Sequence, residues 1–268
     1  MIKLEKMEVT GWEHAIRGMR NPMNSWNKSD SDFVDVFDDY VDSQSYHLKS
    51  VNIGENDLEL MSGLAKNGSV HAKYRRMITV YVDITAPFYW WKEFDTYKVG
   101  TVVNSCSTMH KIHEKEFTLD DFSHEHLLQT NNGWIESNNS GKVLEPLTAL
   151  ESYLEVLNVC RNLYLQTKDK KYWWQMIQLL PSSYNQRRTV MLNYEVLANI
   201  YKHRRNHKLD EWREFCKWID GLPYSKIITI NKYQQAALRT ESGMVKTYPR
   251  ILNGLIVLNE EAGELVRK

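Results

Sequence analysis

Two arginines are the best-placed chemical groups in this chain. Arg204 lies one turn beyond Ile200 and Tyr201 and continues their apolar stripe along a predicted helix. An arginine there is partly buried and needs an anionic partner. Phosphate suits it, because a guanidinium binds phosphate in a bidentate way. The plainer alternative is an arginine that snorkels to water or pairs with a nearby glutamate. Arg187 lies upstream and is open to the same two readings. His110, His113, His124 and His126 fall in a polar region without the tight cysteine or carboxylate spacing of a zinc site. They read as surface histidines, and no metal is expected. Glu261 and Glu264 share one face of a helix at 249–267, beside a stripe of Ile251, Leu252, Leu255, Leu258, Ala262 and Leu265. Such an E-x-x-E pair either ligands Mg²⁺ or forms a charged flank. Further carboxylates from another helix would complete a Mg²⁺ site, and the chain stops at Lys268.

The elements that must position these groups are legible in part. Residues 56–66 predict a short helix stopped at Asn67-Gly68. Over 77–85 Ile78, Val80, Val82 and Ile84 alternate with Thr79, Tyr81, Asp83 and Thr85, which predicts a half-buried strand ended by Pro87. An aromatic segment, FYWWKEF, follows. Residues 114–145 are polar, with turn signals at Asn132-Gly133 and Ser140-Gly141, and read as a long surface excursion. Leu147, Leu150, Leu154 and Leu157 then mark an amphipathic helix. Another is expected from about 190 to 204. After a break at Arg205-Asn206, a third carries Leu209, Trp212, Cys216 and Ile219 and closes at Gly221 and Pro223. The sum is mixed α and β, strands early and helices late.

Composition sets the bounds. With 268 residues, 42% of them hydrophobic and 12% aromatic, the chain can bury a core and is no disordered tail. Its 34 basic and 34 acidic residues cancel, so net charge asks for neither nucleic acid nor an anionic membrane. No apolar run approaches a membrane span, and the start lacks the apolar core of a signal peptide. Three scattered cysteines suit a reducing cytosol, with Cys160 and Cys216 expected as buried thiols. The acidic stretch 30–42 reads as a solvated face without chemistry.

Two stretches resemble the flavin-dependent thymidylate synthases (ThyX). In DLELMSGLAKNGSVHAKYRRMITVYVDITAPFYWWKEFDTYK (57–98), His71 falls on the first histidine of a Gly-His-x-x-P-x-E-His loop, and Arg76-Met77 replace its Glu-His. Lys92-Glu93-Phe94 fall on the family's R-Q-W. Thr96-Tyr97-Lys98 fall on the RHR of RHR-x-x-S-x-N-E-x-S-x-R. After one inserted residue Asn104 falls on the Asn, Ser105 on the Glu, Ser107 on the second Ser and Met109 on the last Arg. The second stretch, LLPSSYNQRRTVMLNYEVLANIYKHRRNHKLDEWREF (179–215), follows L-P-x5-R-x5-N-x10-R. Pro181, Arg187, Asn193, Asn199 and Arg204 stand in gapless register, and His207 and Glu211 match after a one-residue deletion.

The resemblance implies an α/β fold over 1–225, a mixed sheet with flanking helices, in a cytoplasmic homotetramer whose sites lie between subunits. It implies FAD held by His71, Lys98, Asn104, Asn193, Asn199 and His207. A pyrimidine deoxynucleotide such as dUMP would be held by Lys92, Glu93, Ser107, Arg187 and Arg204, with Ser107 and Arg204 closest to the chemistry. NADPH and methylenetetrahydrofolate would be co-substrates. The altered RHR element removes positive charge, which should weaken the grip on an anionic flavin. Residues 228–268 resemble the start of MazG-type nucleoside triphosphate pyrophosphohydrolases, with Glu261 and Glu264 on the first metal-binding pair and the second helix missing. A short helical appendage over 226–268 is therefore expected, without pyrophosphohydrolase activity of its own. Three functions follow: a ThyX-like C5-modifying enzyme, a nucleotide sensor or sequestering module without turnover, or a structural protein that keeps only the fold.

Overall fold

The computed structural model describes residues 1–36, 48–138 and 141–229. In chain order the elements are β1 (Lys3–Thr10), α1 (Trp12–Arg20), β2 (Asp32–Val36), β3 (Leu48–Asn52), α2 (Glu55–Lys66), β4 (Thr79–Pro87), α3 (Phe88–Phe94), β5 (Val102–Ser105) and α4 (Thr108–Lys111). Then come β6 (Trp134–Ser137), β7 (Gly141–Leu144), α5 (Pro146–Thr167), α6 (Lys170–Leu179), β8 (Asn185–Asn193), α7 (Tyr194–Arg204), α8 (Asp210–Asp220) and α9 (Lys226–Thr229). The chain divides into two compact units, Met1–Trp12 with Arg75–Pro223, and Glu13–Tyr74 with the chain from Tyr224. The architecture is the expected mixed α/β one: an antiparallel sheet in the order β1-β4-β8-β5, flanked by helices.

In the first unit the alternation read in the sequence is the alternation of β4. Ile78, Val80, Val82 and Ile84 are fully buried, while Tyr81 opens to solvent. The strand runs to Pro87, whose extended backbone starts α3. A seven-residue helix is too short to hold itself together. Three aromatic side chains hold α3: Trp90, Trp91 and Phe94 are buried, and Trp90 lies 4.7 Å from Trp212 of α8 and 5.0 Å from Phe94 between ring centroids.

Two expectations are corrected. The helix expected from about 190 begins at Tyr194, because 185–193 is the central strand β8, paired with β4 and β5. A late strand thus completes the sheet, and the order of strands early and helices late does not hold. The excursion 114–145 is not all surface. Phe117 and Phe122 are buried with Ile112 beneath Leu154, Leu157 and Met176 of the α5–α6 hairpin.

The cysteines separate by environment: Cys106 is exposed, Cys160 intermediate and Cys216 buried. Burial, then Asp220, pushes the Cys216 thiol up to about 12. Its thiolate at pH 8 is therefore roughly a thousandfold scarcer than that of an ordinary cysteine. Iodoacetamide at pH 8 is expected to label Cys106 in the native protein and Cys216 only after unfolding, as read by peptide mass spectrometry. Labelling of native Cys216 at the Cys106 rate contradicts this.

In the second unit, α2 matches the helix expected at 56–66, with Asn67 as its C-cap and Gly68 at φ +94. Its N-cap is Gly54, which has no capping side chain. Asp30 caps instead, accepting from the Asn56 and Asp57 amides at 2.9 and 3.1 Å. A Cβ on Gly54 would lie 2.2 Å from the Asp30 carboxyl carbon, so the glycine makes room for its substitute cap. Asp57 itself is fully buried and accepts from Arg20 Nε at 2.6 Å, Ser29 Oγ at 2.6 Å and Ser31 Oγ at 2.7 Å. From residue 230 onward the MazG-like segment, with Glu261 and Glu264, lies outside the described residues, as does the acidic stretch from residue 37.

Candidate nucleotide site

Arg204 is the last residue of α7. That helix starts at Asn193, whose side-chain oxygen accepts from the Glu195 and Val196 amides, both at 3.1 Å. Val196, Leu197 and Ile200 bury its inner face and carry Arg204 to the surface between α3 and α8. There the guanidinium meets a carboxylate 111 residues away in sequence: Arg204 Nη1 donates to Glu93 Oε2 at 2.6 Å. Its Nε donates to the Tyr97 hydroxyl at 2.9 Å, and its plane lies 4.7 Å from the Trp212 ring. Trp212 Nε1 donates to the same Glu93 oxygen at 2.9 Å. His207 Nε2 stands 3.0 Å from Arg204 Nη1, and the Leu209 amide donates to His207 Nδ1. Of the two sequence readings, pairing with a glutamate is what Arg204 does within one chain. The side chains keep 19% and 34% of their surface open, for Arg204 and Glu93 respectively, so the pair faces solvent.

A second layer fixes the first. Glu211, next to Trp212, is buried and accepts from the Tyr89 hydroxyl, which also contacts Ser123 Oγ at 2.9 Å. Burial, then the Glu211 bond, raises Tyr89 above the usual phenol range, so it stays a donor. This clamp ties the start of α8, and with it Trp212, to α3.

Arg187 sits elsewhere. Along β8, Arg188, Val190 and Leu192 face the helices. Arg188 lies 4.1 Å over Trp91 and reaches Asp95 at 2.9 Å. Arg187 and Thr189 point to the other face. There Arg187 Nη2 and Thr189 Oγ1 both donate to Asp83, each at 2.6 Å. Those two hydrogen bonds, Thr189's first, hold the Asp83 carboxyl below its ordinary value. The Cys106 amide donates to the Arg187 carbonyl, which brings Ser107 to the same end of the sheet. Ser107 caps α4: its Oγ accepts from the His110 amide at 3.1 Å and lies 2.8 Å from His110 Nδ1. Asn104 pairs with Thr189 on the same row.

The structure thus sorts the predicted residues into two groups. Glu93, Arg204 and His207 form one, with exposed Lys92 and Lys98 nearby in the chain. Arg187, Ser107 and Asn104 form the other. Among the described residues of one chain the two arginines share no partner. Asn193 is committed to its cap, and its Nδ2 lies 2.8 Å from where a Cβ on Gly100 (φ +78) would stand. Asn199 is exposed on α7, and His71 is exposed in the second unit. Tyr97, Trp212, Asp83 and Thr189 carry no site signal of their own in the sequence, Tyr97 standing only as the middle of the altered RHR triplet. Trp212 read as an ordinary stripe residue, and Asp83 stood on the polar side of its strand.

His110, His113, His124 and His126 go to separate partners. His110 contacts Ser107, His113 packs on Tyr164 at 5.0 Å, His124 contacts the Phe122 carbonyl and His126 contacts Asp210. Among the described residues no group of three histidine, cysteine or acidic side chains is placed to hold a metal ion, and no helix is long and apolar enough to cross a membrane. An open depression of about 480 Å³, lined by Met1, Ile2, Glu214, Lys217 and Trp218, contains none of the predicted residues.

No protein-family model and no curated protein matches the sequence. The structure is similar to two crystal structures of the flavin-dependent thymidylate synthase ThyX from Helicobacter pylori, both with FAD and dUMP. One has a TM-score of 0.56 at 17% identity, covering 85% of this chain and 98% of that one. The other has 0.55 at 16%, covering 86% and 100%. A UMP/dUMP methylase PolB from Streptomyces cacaoi, bound with 5-Br UMP, is similar at a TM-score of 0.52 and 12% identity, over 85% of this chain and 94% of that one. At these identities the likeness establishes a shared fold.

Proposed function

We propose that the chain is a ThyX-like enzyme acting at C5 of a pyrimidine deoxynucleotide such as dUMP, with a flavin and a folate carbon donor. One observation carries this reading. Two segments aligned by motif spacing alone, around Glu93 and around Arg204 and His207, meet in a single charged cluster backed by Trp212. Guanidinium and carboxylate side by side against aromatic walls suit a polar base edge. Arg187 and Ser107 suit a phosphate, once Asp83 is displaced. Because these groups face different ways in one chain, the complete site draws on two copies, in a homo-oligomer such as a tetramer.

Lys98, Asn104 and Asn199 offer exposed polar ends and would hold FAD, whereas Asn193 is committed to its cap and Tyr97 to Arg204. Bound FAD, reduced by NADPH, would supply the reducing equivalents. The protein's own share is orientation and charge: Arg204 and Glu93 fix the base, and Arg187 and Ser107 fix the phosphate. The commitment of Tyr97 and Asn193 favours one second reading, a nucleotide-binding module without turnover.

Two measurements test the proposal. Purified protein, or protein soaked in FAD, is expected to show flavin absorbance, and calorimetry is expected to show nucleotide binding. Nucleotide binding without flavin uptake or NADPH consumption selects the second reading. No binding of any pyrimidine nucleotide at millimolar concentration overturns both.

A further inference from the structure

Asp83 stands where a ligand of Arg187 would stand. The two are not cross-strand partners: Arg187 lies opposite Thr85, and Asp83 lies opposite Thr189. All four share the face of the sheet turned away from the helices. Arg187 reaches back diagonally, and its Nη2 donates to Asp83 Oδ2 at 2.6 Å, while Thr189 Oγ1 donates to Oδ1 at 2.6 Å. Both carboxylate oxygens are engaged, and these bonds hold the carboxyl below its ordinary value, so it is ionised at neutral pH. The Arg187 side chain keeps 44% of its surface open and Asp83 only 14%, which makes the carboxylate the inner member of the pair. Glu5 lies opposite Asp83 on β1 and adds a second negative charge near Arg187, with Lys6 of the same strand close to Asp83. A guanidinium grips phosphate by two parallel bonds, along its Nε–Nη2 edge or its Nη1–Nη2 edge. Nη2 belongs to both edges. A phosphate must therefore take this nitrogen from Asp83 or bind beside a carboxylate of like charge, and the carboxylate opposes it either way.

We propose that Asp83 is a built-in counter-ion of Arg187 that sets how tightly the site takes phosphate. It keeps the arginine from collecting small free anions and yields it to a phosphate that the rest of a nucleotide anchors. This rests on the reading that Arg187 holds the nucleotide phosphate. The experiment is calorimetric titration of dUMP, deoxyuridine and inorganic phosphate into the wild-type protein, Asp83→Asn and Arg187→Ala. Asp83→Asn keeps the shape of the side chain and removes its charge. It is expected to bind dUMP and inorganic phosphate about tenfold more tightly than wild type, the scale of removing one like charge from a partly screened site. Its affinity for deoxyuridine, which has no phosphate, is expected to stay that of wild type. A dUMP affinity that is unchanged or weaker in an Asp83→Asn protein that melts like wild type overturns the proposal; the weaker result makes Asp83 a positioning residue for Arg187 instead. An equal gain for deoxyuridine overturns it too, since the effect then does not act on the phosphate. If Asp83→Asn does not fold, Asp83→Ser is measured against the same expectations. If dUMP binds wild type and Arg187→Ala equally well, this proposal falls while the nucleotide site stands. If dUMP binds neither wild type nor the Asp83 variant, the nucleotide-site reading fails, and this one with it.

Discussion

Mixing the Arg187→Ala and Arg204→Ala proteins is expected to restore tight nucleotide-binding sites that neither variant has alone. Each single change removes a charge-assisted contact of roughly 1.5–3 kcal/mol, an affinity loss of about ten- to a hundredfold. Arg187 lies on the face of β8 opposite Arg188, Val190 and Leu192, while Arg204 stands with α3 and α8. If a site takes Arg187 from one copy and Arg204 from another, a mixed pair of subunits has one site with both arginines and one with neither. After joint unfolding and refolding, random pairing returns about a quarter of all sites to wild-type affinity. The measurement is the number of tight sites found by calorimetry in the mixture. A mixture that binds no better than its components rules out the shared site.

Asp57→Ala is expected to lower stability by about 3–5 kcal/mol, because it leaves the Arg20 charge buried without its counter-ion. Among the described residues Arg20 keeps the Ser25 carbonyl at 3.2 Å, and Ser29 and Ser31 lose their shared acceptor. At a urea slope of about 1–3 kcal/mol/M the unfolding midpoint falls by 1 M or more. Exposed Asp32→Ala serves as the control, within about 0.5 kcal/mol of wild type. The pH dependence has a definite sign. Burial alone would raise Asp57, but the bonds from Ser29, Ser31 and Arg20 outweigh it, and its carboxyl sits below the ordinary value. Its contribution is therefore present above about pH 4 and is lost as pH falls through the depressed folded value. Wild type and Asp57→Ala should converge in acid; a constant gap down to pH 2 contradicts the linkage.

How much the sequence reveals depends on what each element faces. In β4 one side is wholly apolar, so alternation shows it. In α8 the stripe of Trp212, Cys216 and Ile219 is deeply buried and shows it equally. In β8 the inward side carries Arg188, packed on Trp91, where a hydrophobic residue would have marked the strand. Charge hides β1 as well: Lys3, Glu5, Lys6 and Glu8 line an edge strand with little to bury. The site divides the same way. Arg204 announces itself by continuing an apolar stripe, but Glu93 cannot be found from it, since only the tertiary packing that sets the end of α7 beside α3 brings them together. Asp83 meets Arg187 through strand register, which no local pattern encodes.

The two faces of β8 also bear on how this chain can change over generations. A single deletion inside the strand would either turn Val190 and Leu192 to water and bring Met191 inward, or, with those held in register, take Gln186 from the Cys106 carbonyl it binds at 2.8 Å. Letters can be exchanged one at a time there, but the count cannot. Against the ThyX motif spacing that the sequence resembles, the interval from Pro181 to Arg204 keeps its length. The inserted residue falls by Asn104, on the outermost strand, and the lost one falls in the turn between α7 and α8. Changes of length against the family pattern fall at an edge strand and a turn between helices, where the backbone tolerates them, and the central strand admits only changes of residue.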